Sequence, residues 1–277
     1  MANDSSIVEP ILIAPPAIEV KGLSVRYVGK HGTVDALADI TTRIEGGEFL
    51  ALVGRSGSGK STLLRAIGGL TVASAGTVRV GNRVVSEPPA QVRFVAQDYS
   101  QSLLPWLTVR QNVLFGERHA VQSSRKFKVS VDEIIGDVGL SHARDRYPRE
   151  LSGGMQQRVA IARAIASRPE IILLDEAFGS VDALSRATLQ DLMLDLWQKF
   201  GFTAILVTHD IDEAIYMADR ILVLSPNGRG LAAEIPVSLP RPRRQIETRE
   251  HPRYLEYRRT LLESVLAKPP LKSAEAA

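Results

Sequence analysis

The chain has 277 residues, 44% hydrophobic and 23% charged, and 34 basic against 31 acidic side chains give a formal net charge of +3. That is the make-up of an ordinary globular protein, with room for one large domain plus appendages or for two small ones. The lack of cysteine excludes disulfides and thiolate metal sites, no apolar run approaches the roughly 20 residues that span a bilayer, and the near-neutral balance makes no case for nucleic-acid binding.

Residues 1–17, with "SSIVEPILIAPPA", lack the positive start and apolar core of a secretory signal and read as a flexible leader. Short β-like runs follow at 17–27, 37–45, 48–54, 77–80 and 93–97, and some of them alternate apolar and polar residues as half-buried strands do. From about 98 to 168 the character is helical, with "TVRQNVLFGE", "VDEIIGDVGL" and the segment after Gly153. "IILLD" (171–175) and "TAILVT" (203–208) are continuous apolar runs, expected for strands buried on both faces. Between them the spacing predicts a helix over 184–200, with Leu189, Leu192, Met193, Leu196, Trp197 and Phe200 on one side. "RILVLS" (220–225) and "LAAEIPV" (231–237) complete the sheet. Residues 241–259 carry seven arginines against three glutamates and read as a solvated helix face. Tyr254, Tyr257, Leu261 and Val265 share a stripe expected to dock on the protein's own body.

"GRSGSGKST" (54–62) fits the phosphate-loop pattern of Gly, four residues, Gly, Lys, then Ser or Thr, between a strand and a helix as the motif requires. Its nine positions are Gly54, Arg55, Ser56, Gly57, Ser58, Gly59, Lys60, Ser61 and Thr62. Glycines let successive N–H groups turn inward at phosphate oxygens, and the helix start adds partial positive charge. Lys60 is placed to reach the β- and γ-phosphates and Ser61 to bind Mg²⁺. Asp175 and Glu176 end a buried strand, where carboxylates are costly unless they face a cation or water. Asp175 is the candidate Mg²⁺ holder and Glu176 the candidate base for the attacking water; helix capping is the competing role for such an acidic pair. His209 ends the next buried strand, at the edge where parallel sheets bind ligands, and reads as a γ-phosphate contact. Gln97, ending "RFVAQ", is a candidate for Mg²⁺ or the attacking water. Tyr27 is either a stacking platform for adenine or an ordinary surface or core tyrosine.

These residues resemble the ATP-binding cassette of ABC transporters. The motifs that carry the resemblance run in matching order from residue 18 to 237: Tyr27, the phosphate loop, Gln97, the signature-like "LSGGMQQ" (151–157), "IILLDE", "SVD" with Asp182, and His209. "QSLLPWLTVRQNV" (101–113) and "LPRPR" (239–243) resemble the subfamily serving nitrate, sulfonate and taurine importers. The resemblance implies a phosphate-loop α/β fold with an antiparallel β subdomain and an inserted helical subdomain. It implies a cassette over 18–237, with an insert at about 98–168 and a basic amphipathic tail at 238–277. Further implications are ATP hydrolysis with Mg²⁺ and a head-to-tail pair of chains in which Ser152, Gly153, Gly154 and Gln156 of one signature meet the other chain's ATP. Asp182 would lie near that interface. Separate permease subunits, and indirectly a solute-binding protein, would be the other partners at the cytoplasmic face of the inner membrane. The competing classes are a soluble cassette acting on DNA or the ribosome and a small-molecule phosphate-loop kinase. Within "SLLPWLT" (102–108), Trp106 is expected either to grip the permease or to lie in the core.

Overall fold

The computed structural model describes residues 15–29, 32–96, 102–120, 129–179, 181–226 and 228–266. In chain order the elements are β1 (Ile18–Gly29), β2 (Gly32–Ile44), β3 (Phe49–Val53), α1 (Lys60–Ile67), β4 (Ala75–Val80), β5 (Arg83–Val84), β6 (Val92–Val95), α2 (Val109–Arg118), α3 (Val131–Asp137) and α4 (Gly153–Ala166). They continue with β7 (Ile171–Asp175), α5 (Ala183–Phe200), β8 (Thr203–Val207), α6 (Ile211–Met217), β9 (Arg220–Leu224), β10 (Leu231–Pro236), α7 (Glu247–Glu250) and α8 (Pro252–Leu266). β2-β1-β4-β5 form one sheet, antiparallel throughout, and β10-β9-β3-β8-β7-β6 the other, parallel except at β10.

The parallel strands are buried on both faces, and their two-residue period decides which core each side chain joins. Phe49, Ala51 and Val53 of β3 pack with α4, α5 and α6, whereas Leu50 and Leu52 pack with α1 and the antiparallel sheet. β7 divides the same way, with Ile172 and Leu174 on the first side and Ile171 and Leu173 on the second. β8 and β9 repeat the division with Ala204 and Leu206 against Ile205 and Val207, and Ile221 and Val223 against Leu222 and Leu224.

Two elements reach further than periodicity suggests. β1 runs past Tyr27 to Gly29, and β2 begins at Gly32 rather than near 37, because Val28 pairs with Thr33 and Tyr27 with Val34 across the hairpin. The expected 184–200 helix appears as α5, with Leu189, Met193, Leu196 and Phe200 buried and Leu192 and Trp197 packed against the same core. α8 docks as expected: Tyr254 and Leu261 are buried, and Tyr257 and Val265 lie against the core. The arginines of 241–259 divide. Arg244, Arg253, Arg258 and Arg259 are exposed, but Arg243 is buried and Arg241 half-buried. Carbonyls at the end of α6 and the Asp219 carboxylate supply the acceptors that draw those two inward. Among the described residues, no helix is long and apolar enough to cross a membrane.

The 102–108 loop splits its apolar residues. Asn112 is fully buried on α2; its Oδ1 accepts from Leu104 N–H at 2.9 Å and its Nδ2 donates to the Leu104 and Leu107 carbonyls at 3.1 and 3.0 Å. With its backbone pinned in this way, the loop turns Leu103 inward, at 3% exposure, and Trp106 outward, at 69%. The core role for Trp106 is thereby overturned. Leu103→Ala should therefore lose about 2–5 kcal/mol of stability, whereas Trp106→Ala should stay within about 0.5 kcal/mol of the parent. Urea unfolding of both variants checks this, and an early transition for Trp106→Ala would return the ring to the core.

Candidate functional site

Three buried strands release their chains at one edge of the sheet. β3 leads to Gly54, β7 to Asp175 and Glu176, and β8 to Thr208 and His209. A cleft of about 490 Å³ opens there, lined by Val34, Asp35, Ala36, Ser56, Gly57, Gly59, Lys60, Ser61, Thr62, Glu176 and His209. The loop needs its glycines: Gly59 sits at φ 93°, and a Cβ there would come within 2.5 Å of the Ala36 carbonyl oxygen and of Leu37 Cδ2. Gly57, at φ 77°, has open space where a side chain would stand, which leaves the backbone free to approach a ligand.

Lys60 is buried, and its ammonium donates to the carbonyls of Gly54 and Arg55 at 2.9 and 3.0 Å. Desolvation pulls its pKa below the usual lysine value, against the opposing pull of Glu176 and Asp175. Ser61 Oγ donates to Asp175 Oδ1 at 2.8 Å, so the two nominated metal ligands are already neighbours. A hydroxyl and a carboxylate form a hard oxygen set, suited to Mg²⁺ that draws its remaining ligands from water and phosphate. Among the described residues no cluster of three or more acidic, His or Cys side chains gathers as a closed metal cage.

Glu176 leaves the strand with a left-handed backbone, φ 46°, while its N–H donates to the Val207 carbonyl at 2.9 Å. A non-glycine residue in that region costs on the order of 1–3 kcal/mol. The turn presents its carboxylate to His209, with Oε2 3.3 Å from Nδ1. A carboxylate and an imidazole at hydrogen-bond range beside an anion cradle can orient a water and move its proton.

Tyr27 stands outside this lining at 45% exposure, but it pairs across the hairpin with Val34, which belongs to it. Gln97 lies outside the described residues. The signature is elsewhere: Ser152 caps α4, accepting from Met155 N–H at 3.4 Å, and neither it nor Gly153 or Gly154 lines the cleft. Gln156 turns back on its own loop, donating to the carbonyls of Pro148 and Leu151 at 2.9 and 3.3 Å. Asp182 caps α5, accepting from Leu184 and Ser185 N–H groups at 3.1 and 3.0 Å, and the hydrogen bonds from Ser185 hold its carboxyl below the usual carboxylate range.

Sequence reasoning passed over Gln157. Its side chain is fully buried on α4 and its amide donates to the carbonyl of Ala177, the residue after Glu176. The signal was present, since a Gln on the apolar side of a helix demands a partner, but nothing in the sequence names that partner. Gln157→Leu keeps the bulk and strands the Ala177 carbonyl, a loss of about 1–3 kcal/mol. Phosphate release should fall while nucleotide affinity stays within about threefold of the parent. Phosphate release at the parental rate would free the Glu176 turn from this support.

Residues 37–179, just over half of the chain, match the family model described as ABC transporter. The bicarbonate transport ATP-binding protein CmpC of Synechocystis sp. is 45% identical over 235 residues, covering 83% of this chain and 35% of that protein. The chain thus spans about a third of that relative's length. The nitrate transport protein NasD of Klebsiella oxytoca is 38% identical over 259 residues, covering 92% of this chain and 98% of that one. Among solved structures, the dimeric post-hydrolysis state of the ATP-binding cassette MJ0796 bound to ADP and Pi superposes with a TM-score of 0.67 at 30% identity, over 79% of this chain and 98% of that chain. On the family match, the relatives and the shared fold, the chain belongs to the ABC transporter family.

Proposed function

We propose that this chain is the ATP-hydrolysing subunit of an importer for a small anionic solute of the nitrate, sulfonate, taurine or bicarbonate kind. It acts as a head-to-tail dimer with separate permease subunits, indirectly served by a solute-binding protein, at the cytoplasmic face of the inner membrane. No nucleic-acid partner enters. The observation that carries this reading is the division of the site. Phosphate loop, Ser61–Asp175 and Glu176–His209 share one cleft, while Ser152, Gly153 and Gly154 of the same chain stand apart from it. A cradle and a signature that do not meet within a chain meet between two, and the dimeric cassette MJ0796 with ADP and Pi supports that arrangement. The names of CmpC and NasD, for bicarbonate and nitrate transport, support the anionic solute class.

The loop amides and Lys60 bind the β- and γ-phosphates, the ammonium exchanging its carbonyl partners for phosphate oxygens. Tyr27, beside Val34, offers its ring to adenine. Ser61, Asp175 and Gln97 would hold Mg²⁺, which neutralises charge building on the bridging and terminal oxygens when bound. Glu176 takes a proton from the attacking water as the water oxygen bonds to the γ-phosphorus and the β–γ bridging oxygen leaves with ADP. His209 and Gln97 hold the terminal phosphate and the water in place. From the partner chain, Ser152 and the N–H groups of Gly153 and Gly154 meet the remaining γ-oxygens, with Gln156 bracing the signature loop and Asp182 at the seam. Closure therefore depends on the γ-phosphate, and its loss opens the pair.

Glu176→Gln should bind ATP normally and slow hydrolysis about a hundred- to ten-thousand-fold, read by phosphate release beside equilibrium nucleotide binding; turnover within a few-fold of the parent would remove Glu176 as the base. Sharing of sites predicts complementation. Lys60→Ala and Ser152→Arg homodimers should each be inactive, yet the mixed dimer keeps one intact composite site. Partial ATPase activity should return when the two proteins are mixed, and its failure to return despite proven subunit exchange would confine each site to one chain.

A further inference from the structure

Residues 238–266 run as a strap along the cassette, and their polar contacts converge on α6, the helix that starts two residues after His209. We infer that this strap is a positioning device for His209, holding α6 at both ends and against α5. The inference rests on the reading of His209 as a γ-phosphate contact.

A helix of seven residues has little stability of its own, so its place in the fold must come from what packs around it. The last carbonyls of such a helix need donors. Arg243, its side chain wholly enclosed, donates through Nη1 to the carbonyls of Ile215 and Tyr216 at 3.0 and 2.8 Å. Arg241 donates to the Met217 carbonyl at 3.0 Å and to Asp219 Oδ1 at 2.7 Å, and its guanidinium lies over the Trp197 ring of α5, 4.3 Å from the centroid. Two cations thus sit at the negative end of α6, where they also complement its dipole. Enclosing Arg243 is expensive: desolvation, with the neighbouring charge of Arg241, pushes its pKa down to about 10. It still holds its charge at neutral pH.

The other end of α6 is held as well. Tyr254 OH donates to the Asp212 carbonyl at 2.9 Å, and Arg258 Nε lies 3.2 Å from Asp212 Oδ1. Sideways, the Gln245 amide donates to Asp191 Oδ1 of α5 at 2.8 Å, and the same oxygen accepts from Tyr216 OH of α6 at 2.5 Å. The turn carrying His209 is itself tied to the far side. Asp210 Oδ2 lies 3.5 Å from Arg186 Nη1, and Arg186 Nη2 donates to the Val181 carbonyl at 3.3 Å, next to Asp182. Strap, α6, the His209 turn and the start of α5 therefore form one continuous set of contacts. Contiguity alone does not establish coupling, so the test measures it.

Steady-state turnover against ATP concentration is measured on the full chain for Tyr254→Phe, Gln245→Leu and His209→Ala, and for each strap change combined with His209→Ala, beside the melting temperature. Each strap change is expected to lower kcat about tenfold while KM stays within about twofold. Neither should lower turnover further in the His209→Ala background, because groups acting as a unit are not additive. Tyr254→Phe keeps the buried ring, so it decides the matter if Gln245→Leu melts early. The inference is overturned by a kcat within about twofold of the parent, by a loss that only tracks the folded fraction, or by an equal loss with and without His209. An unchanged kcat in His209→Ala alone would instead dismiss the role of His209, and the strap's with it.

Discussion

Burial of the parallel sheet on both faces is the constraint from which the rest follows. β3, β7 and β8 are apolar except at their ends, and each alternate residue enters a different core. An unpaired polar group inside either core would cost several kcal/mol. Chemistry is therefore displaced to the carboxyl ends of these strands, which ladder pairing brings level, Leu52 opposite Val207 and Val207 opposite Asp175, so that Gly54, Glu176 and Thr208 follow within two residues of that level. The cleft is a product of sheet register. Shifting one strand by a residue would exchange its two cores and pull its functional end out of line.

The polar contacts around the cleft are arranged so that each demanding group is held by another element. Glu176, in its left-handed turn, is backed by the β8 carbonyl of Val207 and by Gln157 through Ala177. The signature helix α4 thus touches the main chain one residue past the candidate base, at Ala177, while its own Ser152 faces outward. That contact joins the helical region to the Glu176 turn without passing through the phosphate loop.

What could be read from the sequence was what depends on neighbours in the chain. The phosphate loop, the acidic pair at the end of β7 and His209 after β8 announce themselves because motif and strand end coincide. Contacts between distant segments were not legible. Gln157 and Ala177 are 20 positions apart, and Arg243 and Ile215 are 28 apart. Composition marks 241–259 as solvated, yet a helix end short of donors and one carboxylate draw two of its arginines inside. Leu103 and Trp106 show the same limit at shorter range. Both are large and apolar, and the contacts that pin the loop backbone, from the buried Asn112 amide to Leu104 and from Arg163 to the Ser102 carbonyl, come from positions the loop's own composition does not reveal. The hairpin beyond Tyr27 pairs strand to strand in a stretch whose glycines and polar residues carry no strand pattern.

The ammonium of Lys60 has consequences for how readily the site lets go. Its two carbonyl acceptors, Gly54 and Arg55, belong to the loop that would receive phosphate. Under the proposed role of Lys60, capture of a nucleotide would be an exchange of partners, not a rescue of a stranded buried charge, and the net gain would be smaller than the new contacts alone. The same exchange would run in reverse as a ligand departs, the loop carbonyls of Gly54 and Arg55 taking the ammonium back. A cleft built this way would give up some tightness of grip and gain easy reloading.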